Sequence, residues 1–263
     1  MAKLEVVCVT MNQHDFSKFR EMNIASDVVF GNQAGETRKD EQMINGFSAK
    51  MITTDTRGVG INRNLALTYA TGDILLFADD DIRYADGYVQ GVLKAYDEHP
   101  DADMIIFSMD ITKNGEVIRK IANKDGRLPA HRSLKYGTCV LSARRSSLRR
   151  NNMWFSPMFG GGTEFGHGED TLFTLEALRK SMKIYTSSFC LGTCSKDTST
   201  CFHGYDEKYF FDQGVWYAAA FGSFAGLMAL QFCVRKRKRY SQSVSFDCAL
   251  RNMKKGIGYF RNG

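Results

Sequence analysis

Three adjacent carboxylates, Asp79, Asp80 and Asp81, close the apolar run Ile74-Leu-Leu-Phe-Ala78. A buried strand gains no stability by ending this way, because like charges repel and a desolvated carboxylate is costly without a positive partner. A divalent cation is such a partner: carboxylate oxygens suit Mg2+ or Mn2+, which commonly bridge one or two carboxylates to a diphosphate. Alternate side chains of an extended segment share a face, so Asp79 and Asp81 are expected to address one ligand with Asp80 opposite. The alternative is a solvated acidic turn. A second cluster, Cys190, Cys194, Cys201 and His203, reads either as a zinc site of unfamiliar spacing or as free thiols.

The elements that must position these carboxylates alternate. Leu4 to Thr10 is a β-branched run and Ile74 to Ala78 a continuous apolar run, both of buried-strand type, and Asp27 to Phe30 and Ala49 to Thr54 read as further strands. Asp15 to Asn23, about Ile61 to Ala70, and Gly87 to Glu98 read as helices between or after them, and Asp103 to Met109 as a further strand. This rhythm predicts an α/β fold, a mostly parallel central sheet with helices on both faces, and a ligand site beyond the carboxyl ends of the strands. Downstream the pattern loosens into a polar hairpin over Asn114 to Arg132, a basic stretch at Leu141 to Arg150, an aromatic and glycine-rich stretch at Asn152 to Gly168, and a helix over Glu169 to Met182.

In order and spacing, Arg57-Gly-Val-Gly-Ile-Asn-Arg63-Asn64, then Ala70-Thr-Gly72-Asp73, then Asp79-Asp-Asp81 resemble the signature of glycosyltransferase family 2 enzymes with the A-type fold. The resemblance continues in Gly166-His-Gly-Glu169-Asp170 and in Ser199 to Gly214, which is similar to a block of capsular polysaccharide transferases. It implies a Rossmann-like, mixed sheet of mostly parallel strands with C-terminal helices added, and Mn2+ or Mg2+ as cofactor. Asp81 would take the metal, Asp79 the metal or the ribose, and His203 would complete the metal shell. Asp80 is counted with the donor-binding residues. Asp170 would be the general base, with Glu169 orienting it or the acceptor. Thr10, Gln33 and Asp55 stand where such enzymes grip the nucleoside, and Arg57 and Arg63 are candidate diphosphate or base contacts. A single base implies one in-line displacement with inversion at the anomeric carbon. Two departures stand out: Asn32-Gln33 replaces an acidic residue near the second strand, and Cys201 stands where tryptophan is common.

The 263 residues have 43% hydrophobic and 24% charged content, which excludes a disordered chain, and three prolines exclude a Pro-rich linker. The odd count of seven cysteines makes no disulfide framework, and the start lacks the apolar length of a signal peptide, so a cytoplasmic setting is expected. The formal charge of +6 belongs to the tail: from Arg235 onward nine Lys or Arg face one acid, Asp247. Val215 to Val234 has no formal charge and is followed by Arg-Lys-Arg-Lys-Arg239, so it reads as a span, an interfacial helix or a core helix. Ala249 to Phe260 reads as a second basic, surface-seeking helix. Together they point to reversible attachment to an anionic membrane at its cytoplasmic face, and the basic block lacks the interleaved aromatics of a nucleic-acid site.

The expected division is a nucleotide-sugar half over 1–110, an acceptor and base half over 111–214, and a membrane-associating segment over 215–263. The favoured function is metal-dependent sugar transfer from a nucleotide sugar, UDP-linked by expectation, to a hydroxyl of a lipid-linked or polysaccharide acceptor. One alternative is a nucleotidyltransferase, which Met11-Asn-Gln-His-Asp15 disfavours because no glycine follows the first strand. The other is a non-catalytic basic membrane-binding module.

Overall fold

A computed structural model describes residues 2–129, 134, 136–197 and 204–262. Its contacts divide the chain into two units, one of Met1–Pro157 with Glu169–Ser199, the other of Met158–Gly168 with Thr200–Gly263.

The first unit opens with β1 (Leu4–Met11), α1 (Ser17–Glu21), β2 (Asp27–Gln33), β3 (Arg38–Ile44), β4 (Phe47–Thr54), α2 (Val59–Tyr69) and β5 (Ile74–Asp79). Next come β6 (Ile82–Tyr84), α3 (Tyr88–Glu98), β7 (Met104–Lys113), β8 (Glu116–Ile121) and β9 (Gly126–Arg127). It closes with β10 (Leu141–Arg144), α4 (Arg145–Arg150), α5 (Glu169–Arg179) and β11 (Ile184–Ser195). The strands form one mixed sheet in the order β3-β4-β2-β1-β5-β10-β7-β11-β6, with β8 on β7 and β9 on β11. The run β4-β2-β1-β5 is parallel throughout. Residues from Leu4 to Thr10 and from Ile74 to Ala78 are all buried, as expected of strands covered on both faces. The register sets Thr10 beside Asn32, Asn32 beside Thr53, and Val9 beside Asp79, so the carboxyl ends of four strands share one rim.

Three strands depart from the sequence expectation. The polar run β3 is an exposed edge paired antiparallel to β4, and its four consecutive charged residues, Arg38 to Glu41, discourage further pairing. β10 inserts antiparallel between β5 and β7 inside the stretch that reads as merely basic. The arginines there are structural ties: Arg144 donates to the carbonyls of Ala102, Tyr96 and Pro100, and Arg145 to that of Gly72. β11 runs parallel to β7 but is interrupted by register shifts, which break the pattern by which a long strand is recognised. The start of the fold is locked by Glu5, fully buried in β1, whose carboxylate accepts the backbone N–H groups of Thr71 and Gly72 at 2.5 and 2.6 Å. A side chain at Gly72 would meet the Glu5 Cβ, which is why glycine stands in that turn.

The second unit is helical: α6 (Glu207–Phe221), α7 (Ala225–Tyr240) and α8 (Phe246–Asn262). Asp206 caps α6 by accepting the Tyr209 N–H at 2.6 Å. A Cβ on Gly214 of α6 would strike the Met253 carbonyl of α8, and one on Gly256 of α8 would strike the Phe211 carbonyl of α6. The two glycines therefore let the helix backbones touch. By length and composition Glu207–Tyr240 is apolar enough to cross a membrane, but 39% of its apolar window is buried. The chain breaks into a short 3-10 turn at Gly222–Phe224. Val215, Trp216, Tyr217, Ala218 and Ala220 before the break are core residues, whereas Phe224 at its end and Leu227 and Val234 after it are 69%, 65% and 61% exposed.

Candidate active site

Arg63 is the centre of the site. It lies on the buried face of α2, with its side chain only 3% exposed, and its guanidinium stands 5.3 Å over the Phe155 ring. That ring is itself buried and stacked on Phe173 at 4.1 Å, so Phe155 forms the floor under Arg63, while Trp154 beside it is half-exposed. Arg63 Nη2 donates to Asp79 Oδ1 at 2.5 Å and Nη1 to Glu169 Oε1 at 2.8 Å. Burial alone would weaken the proton affinity of the guanidinium, but the Asp79 and Glu169 charges more than reverse that and hold its pKa above the ordinary value.

The aspartate triplet is not one extended segment. β5 ends at Asp79, and Asp80 and Asp81 form the turn into β6, so strict alternation does not decide which carboxylates face together. Each has its own partner. Asp80 Oδ2 accepts the Thr10 hydroxyl at 2.5 Å, and the Asp80 carbonyl accepts Lys18 Nζ at 3.5 Å. Asp81 Oδ1 accepts the Cys194 thiol at 3.4 Å, with Lys196 Nζ 3.9 Å from Oδ2. Burial and then the Asp79 charge raise the Asp81 pKa, against the weaker opposition of Lys196 and Cys194. Among the described residues no three His, Cys, Asp or Glu side chains form a ready-made metal cage. The donor set still fits a hard cation of the kind that takes one or two protein carboxylates and completes its shell with phosphate and water. Asp81 is largely buried with Lys196 as its one ion-pair partner among the described residues, and Asp79 keeps 40% of its side chain exposed after binding Arg63.

Glu169 and Asp170 open α5, where the unsatisfied N–H groups and helix dipole favour negative charge. Glu169 is buried and turned to Arg63. Asp170 Oδ1 accepts the Thr171 N–H at 2.6 Å and its hydroxyl at 3.2 Å, which leaves Oδ2 as the oxygen with lone pairs to offer. A Cβ at Gly137 would stand 3.3 Å from that Oδ2, so glycine keeps the approach open. Burial, then the neighbouring Glu169 charge, push the Asp170 pKa up to about 6, opposed by the Thr171 N–H and by Arg63. Such a carboxylate is ionised at neutral pH yet basic enough to take a proton in a transition state.

The other expected residues are distributed around the rim. The Thr10 hydroxyl is spent on Asp80, and Gln33 Oε1 accepts the Gly58 N–H at 2.8 Å, holding the turn that starts α2. Both reach the rim by supporting other parts of it. Asp55 and Arg57 lie exposed in the loop between β4 and α2, open to a ligand. His203 and Cys201 lie outside the described residues. Of the remaining cysteine cluster, Cys190 is exposed and Cys194 buried against Asp81, and the six described cysteines are free thiols.

Sequence reasoning noted Asn64 within the signature and Asn32 as a departure but assigned neither a role, and it gave none to Asn62; all three fix the rim. Asn62 Nδ2 donates to the Gly31 carbonyl at 2.6 Å, tying α2 to β2. Asn32 accepts the Gln13 N–H and donates to the Gln13 carbonyl and to Thr53 Oγ1, fixing the loop after β1. Asn64 clamps the backbone of Phe155 by both its N–H and its carbonyl, at 2.9 and 2.8 Å. Asn62 and Asn64 flank Arg63 on a helix, where asparagine is a poor former, and that misfit was their signal.

Residues 28–154 match the family described as Glycosyl transferase family 2. That segment is a family 2 glycosyltransferase domain. It holds Arg63 and the whole aspartate triplet, while β1 and the Glu169–Asp170 pair lie outside it. Solved structures with the same fold include S. aureus TarS 1–349 in complex with UDP-GlcNAc, at 16% identity and a TM-score of 0.68 over 98% of this chain and 80% of that one. TarS 1–349 in complex with UDP matches at 17% identity and a TM-score of 0.62, over 97% and 81%. The longer S. aureus TarS chain matches at 18% and 0.58, over 91% of this chain and 44% of that one. No curated protein matches the sequence. At these identities the structural likeness is one of fold, the glycosyltransferase A-type.

Proposed function

We propose that this glycosyltransferase moves a sugar from a UDP-linked donor to an acceptor hydroxyl by a single displacement that inverts the anomeric carbon. The observation that carries the reading is Asp170, a carboxyl raised to about 6 at a helix N-terminus with one oxygen pinned and the other open beside Gly137. Its neighbour Glu169 is joined through Arg63 to the strand-end carboxylates. In this reading Asp170 Oδ2 takes the acceptor hydroxyl proton as the new C–O bond forms and the bond from the anomeric carbon to the diphosphate breaks. Mn2+ or Mg2+, held by Asp81 with Asp79, would neutralise charge on the departing diphosphate. Glu169 is a positioning residue that acts through Arg63. Asp55 and Arg57 are offered for the nucleotide, with Thr10, Gln33 and Asp80 as the frame behind them; His203 remains a candidate metal ligand. The UDP-GlcNAc and UDP bound to fold relatives support a uridine donor.

The division of labour proposed is donor binding by 1–110, acceptor and base by 111–214, and attachment by 215–263. For attachment, the support is the exposed apolar ridge of Phe224, Leu227 and Val234 running into Arg235 to Arg239, which pairs an apolar face with charge complementary to anionic lipid. The site proposed is the inner face of the cell membrane, and the acceptor a lipid-linked or growing polysaccharide.

The test is thermal unfolding of the full chain with UDP-glucose, UDP-GlcNAc or UDP, with and without MnCl2. A ligand at 100 times its Kd stabilises the folded state by about 2.7 kcal/mol. A metal-dependent rise with at least one UDP-sugar is expected, and no response to any of them sinks the reading. Release of pyrophosphate from a nucleoside triphosphate and a sugar phosphate would instead establish a nucleotidyltransferase.

A further inference from the structure

A cleft of about 670 Å³ is lined by residues of β8, the segment Ala122–Pro129, Tyr136 and Thr186. Four of its lining residues are cationic, Arg119, Lys120, Lys124 and Arg127, against one acid, Asp125. Both Asp125 oxygens are already taken, by the Ser188 N–H and hydroxyl at 2.8 Å each, and these bonds hold its pKa low. Lys120 lies 3.4 Å from Asp110, whereas Arg119, Lys124 and Arg127 have no ion-pair partner among the described residues.

The rim is tied to the sheet by side-chain hydrogen bonds. Asn123 is held at its N–H by Ser108 Oγ, at its amide nitrogen by the Phe107 carbonyl and at its amide oxygen by the Tyr136 hydroxyl, at 3.0, 2.8 and 2.9 Å. Thr186 Oγ1 secures the Lys124 carbonyl at 2.7 Å. Tyr136 is also the residue before Gly137, the glycine that faces Asp170 Oδ2. The lining of the cleft therefore ends one residue before the glycine that faces the atom proposed to deprotonate the acceptor.

From this geometry we infer that the cleft binds phosphate on the acceptor, placing the acceptor hydroxyl toward Asp170. Guanidinium forks match phosphate oxygens by paired hydrogen bonds, and the volume suits a sugar phosphate or diphosphate headgroup rather than a bare ion. The inference rests on the transferase reading above and adds to it the class of acceptor. Two sources share the chemistry, the diphosphate of a lipid carrier and a phosphodiester within a polymer.

The experiment is calorimetric titration of the full chain, saturated with UDP so that the donor site is filled. Farnesyl diphosphate probes the first source and glycerophosphoglycerol the second. Arg119→Ala/Arg127→Ala is compared with the parent and with a tail control, Arg235→Gln/Lys236→Gln; the UDP titration and melting temperature of each variant report that the donor site is intact. The expected result is binding of one probe by the parent and the tail control, with a loss of about tenfold or more in the cleft variant, as for a charge-assisted pair worth over 1.4 kcal/mol. Equal affinity in parent and cleft variant, equal loss in the tail control, or no binding of either probe by the parent overturns it. Because UDP binding is read separately, failure of the donor assignment and failure of the cleft are distinguishable.

Discussion

Arg63 on α2 and Glu169 at the start of α5 are 106 positions apart and meet at 2.8 Å, while the same guanidinium holds Asp79 at the end of β5. One cation thus ties the strand that carries the aspartate triplet to the helix that carries Asp170. Breaking a buried pair leaves an uncompensated charge, which typically costs about 3–5 kcal/mol. Arg63→Met strands Glu169 and Asp79 together and should lower the melting temperature sharply. Arg63→Lys keeps one charge but reaches only one carboxylate, so stability should be intermediate. Denaturant titration of the three proteins checks the order.

Asp170→Asn keeps the shape of the side chain and removes its basicity. Transfer should fall by about 10²- to 10⁴-fold, the usual worth of a general base, with donor affinity retained. Near-normal turnover would remove Asp170 from the mechanism.

The pH dependence follows from the same carboxyl. Its pKa is about 6 in the folded chain against an ordinary 3.8. The rate should therefore rise through pH 6 and level off above it. For stability the sign is opposite: between 3.8 and 6 the folded state binds more protons than the unfolded, so this group makes the fold less stable as pH rises. Above that window Asp170→Asn should melt higher than the parent, by several degrees in a domain of this size. Below it the advantage should vanish.

Asp81→Asn removes the carboxylate proposed to face the metal without touching the Arg63 bridge. Stabilisation by UDP should persist in the absence of Mn2+ and lose its Mn2+-dependent increment. Calorimetry with UDP and MnCl2 measures the difference, and an unchanged increment would place the ion elsewhere.

Leu227→Ser/Val234→Ser changes two exposed side chains of α7 and no buried one. Vesicles with phosphatidylserine should bind this variant several-fold more weakly than the parent, and neutral vesicles should bind neither well. Gly214→Ala is the structural contrast: it drives α6 away from the Met253 carbonyl and should unfold the helical unit, seen as lost helicity by circular dichroism.

Much of the fold was legible in the chain. The strands at Leu4, Asp27, Ala49 and Ile74 announce themselves because a parallel strand buried on both faces is mostly apolar and β-branched, and α2, α3 and α5 carry helical signals of ordinary strength. β3, β10 and β11 were not legible, since an exposed edge is polar, a four-residue strand is too short for a pattern, and register shifts erase alternation. The aspartate triplet, Arg63 and the Glu169–Asp170 pair were visible as separate motifs. Their meeting was not, because a salt bridge across 106 residues leaves no mark on the spacing around either partner.

What the amino-acid order determined alone is therefore the inventory: which carboxylates, which arginine, a parallel α/β core and a basic tail. Tertiary structure decided their states. It spends the Thr10 hydroxyl on Asp80 and lifts Asp170 to about 6 through burial and its neighbour's charge. It also divides the uncharged stretch from Val215 to Val234 into a buried helix and an exposed apolar face. Proton affinity and exposure depend on what surrounds a group in three dimensions, and those surroundings are drawn from positions that no local pattern connects.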